Sequence, residues 1–172
     1  MGLDMYLYLK KEEYVSRYSK SKNLRREFPK SIRDLGITLP ELDSVCRETS
    51  YEIGYWRKAN AIHAWILNKC GPRSFEGEII DDCSDIFVPV EVLEELRNTC
   101  KAVLEDKTKA VELLPTQSGF FFGSTEYDEY YFDDLKDTIN IIEPAIELIK
   151  ALTENKRKSG DPYYSIMYHA SW

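Results

Sequence analysis

The opening run Leu3-Asp4-Met5-Tyr6-Leu7-Tyr8-Leu9 is rich in apolar and aromatic residues, which predicts a buried strand. Residues 10–44 are mostly polar and predict irregular structure with a short helix. From Cys46 to Tyr55 the residues Thr49, Tyr51, Ile53 and Tyr55 share one parity, the mark of a second strand or an extended entry into the next helix. The period then becomes helical. Tyr55, Ala59, Ile62, Ile66 and Cys70 recur at three and four residues, predicting a helix from Trp56 to about Lys69 that Gly71-Pro72 stops. Residues 73–85 form an acidic loop, and Ile86-Phe87-Val88-Pro89 leads into a helix with the stripe Leu93, Leu96, Cys100, Val103 and Leu104. A short helical piece, Val111 to Leu114, ends at Pro115, and Phe120–Gly123 reads as a strand or turn.

The longest helix carries Phe132, Leu135, Ile139, Ile142, Ile146, Ile149 and Leu152 on one stripe. Thr125-x-x-Asp128 resembles a capping box at its start, and Pro144 predicts a kink or break near Glu143. Pro162 to His169 reads as a closing strand. Together these elements predict a single α+β domain over residues 1–172. Its small mixed or antiparallel sheet includes both termini and packs against three or four helices.

A chain of 172 residues can bury a core without staples. Its net charge of -7 and pI near 5.0 exclude general nucleic-acid binding, which relies on Lys and Arg neutralising phosphates. The charge is uneven: residues 1–35 carry nine Lys/Arg against five acids. The basic stretch from Arg17 to Arg33 suits a phosphate or an acidic partner, or simply a solvated polar face. Cys46, Cys70, Cys83 and Cys100 are widely spaced, without a CxxC pair, and predict reduced core or boundary thiols in a cytoplasmic protein. No apolar run is long enough to span a membrane, so no membrane association is expected.

Two segments carry candidate chemistry. Gly119 to Phe132 packs seven aromatic residues and three acids around a glycine turn and a helix start, more than a connection needs. Glu126, Asp128 and Glu129 repel a bare phosphate there but suit ribose hydroxyls, exocyclic amines, a basic partner or a divalent ion. The same acids also fit a purely structural role, because carboxylates in a first helical turn stabilise the helix dipole. Tyr127, Tyr130 and Tyr131 share a face turned away from the apolar stripe, so not all of them belong to the core.

The second segment is the helix opening at Trp56. Trp56, Asn60 and His63 fall on one line at helical spacing, where a ring, an amide and an imidazole can stack on a flat ligand and bond its edge. Arg57 and Lys58 stand at the positive end of that helix, a placement an anion would relieve. The structural assignment of the row is a boundary histidine, a core-covering Trp and two surface cations. No nucleophile elbow, P-loop, HExxH or GxGxxG is present, and the reading calls for no catalytic residue, no cofactor and no metal. Asp81-Asp82-Cys83 beside His63 reads as a hydrated acidic loop in preference to a metal site.

The opening Met1 to Leu7, the segment Gly54 to His63, Asp81-Asp82-Cys83, Leu113-Leu114-Pro115, Ser118 to Phe132 and the ending Tyr168 to Trp172 carry a resemblance over nearly the whole chain. They resemble a family of small uncharacterised proteins encoded by bacteriophages and by bacterial genomes with phage-derived genes. The resemblance implies a host-cytoplasmic accessory protein and no particular mechanism. The residues support a non-catalytic protein that binds a small nucleotide-like ligand, and the phage setting that the resemblance implies adds a host defence signal as the expected kind of ligand. Trp56, Arg57, Lys58, Asn60 and His63 would form one wall, and Ser124, Glu126, Tyr127, Asp128, Tyr130 and Tyr131 the other. The alternatives are a module that binds a host protein through the same tyrosines and a metal-assisted hydrolase using Asp82, His63 and Glu126. A homodimer is left open.

Overall fold

The computed structural model describes residues 2–16, 34–36, 44–154, 158 and 161–172, with backbone alone at 15–16. The basic stretch from Arg17 to Arg33 lies outside the described residues. Four strands, β1 (Asp4–Ser16), β2 (Ser44–Arg57), β3 (Ile86–Phe87) and β4 (Tyr163–Ser171), form a sheet of order β2-β1-β4-β3 in which every neighbouring pair is antiparallel. Among the described residues, four α-helices accompany them: α1 (Asn60–Cys70), α2 (Val90–Glu105), α3 (Ala110–Leu113) and α4 (Glu129–Thr153). The fold is α+β, with the N-terminal and C-terminal strands paired at its centre.

Alternation on the central strands builds the core. Leu3, Met5, Leu7 and Leu9 from the N-terminal strand region and Ile166, Tyr168 and Ala170 from β4 are buried on the face that meets the helices. Leu93, Leu96, Cys100 and Val103 of α2 pack there too, as do Leu135, Ile142, Ile146 and Ile149 of α4. α4 runs along α2 and against β2 and β4. It comes so close to β2 that a Cβ on Gly54 would overlap Ile141 Cγ2.

Several sequence expectations are corrected. Residues 10–16 are not irregular but continue β1, paired with residues 44–50 of β2. This ribbon lacks apolar alternation and is held by cross-strand polar contacts, including Lys10 Nζ to Glu48 Oε2 at 2.9 Å and Ser44 Oγ to Tyr14 Oη at 2.9 Å. The helix predicted from Trp56 begins four residues later. Trp56 and Arg57 stay in β2, opposite Met5 and Asp4, because pairing with β1 outweighs local helical spacing.

Phe120–Gly123 is a turn and not a strand. The cap of α4 is Asp128, whose Oδ1 accepts from Tyr131 N at 3.1 Å, so Thr125 is not the capping residue. Pro144 does not break α4, which runs unbroken to Thr153; Ile142, Ala145 and Ile146 around it are buried, and that packing offsets the missing backbone bond. Of the four free thiols, Cys100 is buried, Cys70 and Cys83 half-buried, and Cys46 exposed on the ribbon, outside core and boundary. Among the described residues, no helix is long and apolar enough to cross a membrane.

Candidate functional site

The strand-to-helix connection after Arg57 sets the geometry. Lys58 adopts φ 61° and Ala59 sits at φ -74°, ψ 67°, with Asn60 N donating to Lys58 O at 2.8 Å, an inverse γ-turn. This sharp corner turns the chain from the sheet edge into α1 and leaves Arg57 and Lys58 exposed above the first turn of that helix.

Asn60 binds the second motif to this corner. Its Nδ2 donates to Phe122 O and Ser124 O, both at 2.9 Å, while its Oδ1 accepts from Gln117 N at 3.0 Å. Leu3 N donates to Phe121 O at 3.0 Å, and Phe122 meets His63 and Trp172 edge-on. The two segments therefore meet in space, and the loop 117–124 is fixed from below by a buried amide and a buried ring.

Between them lies a cleft of about 500 Å³. Arg57, Lys58 and Asn60 line one side; Thr116, Gly123, Ser124 and Glu126 line the loop side. Asp128, Tyr130, Tyr131, Asp133, Asp134 and Asp137 of the α4 start line the third. Eight predicted residues thus share one cavity: Arg57, Lys58, Asn60, Ser124, Glu126, Asp128, Tyr130 and Tyr131.

Three predicted residues do not line it. Trp56 is buried, and its Nε1–H donates to Thr138 Oγ1 at 2.9 Å, so its ring is core and offers no stacking surface. His63 is only 1% exposed. Its Nδ1 lies 2.6 Å from the Tyr168 hydroxyl and its Nε2 3.2 Å from Asp81 Oδ2. With the proton on Nε2, the ring donates to Asp81 and accepts from Tyr168, which leaves no atom for a ligand. Tyr127 stacks edge-on against Tyr131, and its hydroxyl accepts from Thr116 N at 3.3 Å. The expected row of Trp56, Asn60 and His63 does not exist as a row, because Trp56 is on a strand. Asn60 reaches the cleft, but its amide is already engaged by the loop.

The chain matches no protein-family model, no curated protein and no solved structure.

The electrostatics of the cleft come from residues the sequence reading missed. Asp133, Asp134 and Asp137 extend the Tyr130 face by three and four residues along α4; that spacing was the available signal, overshadowed by the tyrosines before it. Burial, then Asp137, Asp128 and Asp133, push the Asp134 carboxyl up to about 6. Asp133 is paired with Lys136 at 2.7 Å, and Arg57 with Asp4 at 3.0 Å. Among the described residues, Lys58, Glu126, Asp134 and Asp137 have no ion-pair partner. Among those residues, too, no three His, Cys, Asp or Glu side chains converge as metal ligands. Asp82 and His63 line a separate, much smaller cavity than Glu126, so the three residues of the hydrolase reading are not brought together.

Proposed function

We propose that the protein is a non-catalytic binding protein that holds a small nucleotide-like molecule in the cleft between α1 and α4. The observation that carries this reading is the cleft's complement of groups without an ion partner among the described residues: Lys58 on one wall, Glu126, Asp134 and Asp137 on the others, with the Tyr130 ring, 80% exposed, beside them. Sugar hydroxyls and exocyclic amines would donate to Asp134 and Asp137, and an anionic group would meet Lys58. The base would lie on Tyr130, which takes the role first assigned to Trp56. A pair of such opposite charges across one cavity favours a ligand carrying both donors and an anion over a bare phosphate or a bare cation. The resemblance to phage-encoded proteins adds the expectation that the ligand is a host nucleotide signal.

Calorimetric titration with a panel of nucleosides, mononucleotides and cyclic nucleotides tests this. Binding should appear for at least one member and weaken at least tenfold in Tyr130→Ala and Asp137→Asn while circular dichroism stays unchanged. Undiminished affinity in both variants, or no binding across the panel and no bound small molecule in native mass spectrometry of the protein from its host, would sink the assignment.

A second reading has its own observation. Phe120, on the loop that forms the cleft's rim, is 95% exposed, so it and Tyr130 form exposed aromatic anchors for a host protein. A stoichiometric lysate partner lost on Phe120→Ala would favour it.

A further inference from the structure

The sheet turns one face to the helices and leaves the aromatic side chains of the other outside the buried core. Register places Tyr6 of β1 between Tyr55 of β2 and His169 of β4, and Tyr8 between Glu52 and Met167; Met167 in turn adjoins Phe87. None of these side chains belongs to the buried core. A solvated antiparallel face ordinarily carries polar residues, yet this one is aromatic across its centre, with Tyr55 43% and Phe87 50% exposed. The Tyr6 ring stacks on Tyr8 at 6.0 Å and 17°, and lies 5.3 Å from Tyr55 and 6.3 Å from His169. The strip is therefore continuous over three strands.

Its charge is one-sided. Among the described residues, the two Lys/Arg cations of the face are already engaged, Arg57 by Asp4 at 3.0 Å and Lys10 by Glu48 at 2.9 Å. Glu52 has no ion-pair partner among the described residues, and Asp85 has the His169 imidazole at 3.0 Å. Burial first, and then Glu52, Tyr6 and Asp85, raise the Tyr8 phenol above its ordinary value.

We propose that this outer sheet face docks a cationic peptide segment of a partner protein, its Arg or Lys side chains lying on Tyr6, Tyr8 and Tyr55 and pairing with Glu52 and Asp85. Guanidinium and ammonium groups are attracted to aromatic faces, and Arg also stacks on them. Uncompensated acids at the edges of the strip add charge complementarity and exclude anionic partners. Single-stranded nucleic acid also stacks on aromatic sheets, but it needs a basic groove for its backbone, and this face is acidic. A second copy would bring the same unbalanced acids into one interface.

The test is fluorescence anisotropy with fluorescein-labelled octa-arginine at near-physiological salt. Tyr8→Leu, which leaves the charge unchanged, and Glu52→Gln should each weaken binding about three- to tenfold. Glu76→Gln on the 72–80 loop and Asp137→Asn in the cleft should leave it unchanged, which separates this face from the cleft reading. Equal losses in all the acid variants would mean unspecific attraction and overturn the proposal. So would undiminished binding in Tyr8→Leu, no binding by the parent protein, or tighter binding of a labelled oligothymidylate. A dimer in sedimentation that Tyr8→Leu dissociates would assign the face to a second copy instead. Tyr6→Leu repeats the neutral test should Tyr8→Leu fail to fold.

Discussion

Asp134→Asn should make the protein more stable near pH 8, and by a smaller margin near pH 4.5. The carboxyl is partly buried, faces three other aspartates and has no cation beside it, and its folded value is about 6 against an ordinary 3.8. A folded value above the unfolded one means that the native state binds the proton more tightly. The contribution is therefore fully favourable below about 3.8 and is lost as pH rises through 6, where the native state must carry the charge. At 1.36 kcal/mol per tenfold, the gap sets a ceiling of about 3 kcal/mol. Solvent reaches part of the group, and screening reduces the realistic value to about 1 kcal/mol.

Asn keeps the shape and removes the charge, so it recovers that amount at pH 8 and only part of it at pH 4.5, where the loss has begun. For a chain of this size 1 kcal/mol corresponds to a rise in Tm of about 2–4 °C. Differential scanning calorimetry at the two pH values reads it directly. The same Tm difference at both values, or a destabilised variant at pH 8, would show that the Asp134 charge is not held at a cost. A positive outcome would mean that the cleft keeps a destabilising charge, the compromise expected of a binding site in preference to a structural one.

Three further outcomes follow from the packing. Gly54→Ala should cost roughly 1–3 kcal/mol in urea unfolding because its Cβ would overlap Ile141 Cγ2, and adding Ile141→Ala should return part of the loss; equal stability of Gly54→Ala and the parent would contradict the close approach. Asn60→Ala strips partners from Phe122 O, Ser124 O and Gln117 N, so it should cost about 2–4 kcal/mol and make the Gln117 amide exchange rapidly; unchanged exchange would mean that Asn60 does not hold the loop. Burial lowers the His63 value below its ordinary 6.5 despite Asp81, so its contribution is present above about 6.5 and lost as pH falls below it. Urea midpoints should decline over that range, and His63→Gln should lack this part of the slope; an identical slope in the variant would refute it.

The order of elements was legible because it rests on strong periodicity: Leu3, Met5, Leu7 and Leu9 of the N-terminal run and most of the α2 and α4 stripes became core, whereas Leu152 at the end of α4 is exposed. What was not legible depended on partners distant in sequence. Residues 10–16 carry no apolar alternation, and only cross-strand pairing with residues 44–50 makes them a strand. Trp56 has helical spacing to Asn60 and His63, but Met5 opposite it and Thr138 beneath it decide its conformation. His63 looked like a boundary residue because neither Tyr168 nor Asp81 could be placed beside it from the sequence. The meeting of the two motif segments was likewise unreadable in advance, since it passes through one amide side chain and three backbone groups of the loop.

The corner that defeated the sequence reading is the one that builds the cleft. A helix running on from Trp56 would have carried Arg57 and Lys58 away with its first turn; the strand ending at Arg57 holds them at the rim instead. The corner needs a left-handed residue, and the residue there is lysine, not glycine, although glycine would take φ 61° without strain. The surroundings are adapted to that lysine. A Cβ on Gly2 would lie 2.9 Å from Lys58 Cε, and one on Gly123 would lie 3.2 Å from Lys58 Cβ, so two glycines leave the room through which its stem passes. Gly123 itself adopts φ 88° to do so. Backbone strain and two cleared positions are thus committed to a side chain that pairs with no acid among the described residues. A cation positioned at that cost, with no ion partner among the described residues, is where the proposed ligand's anionic group would be met.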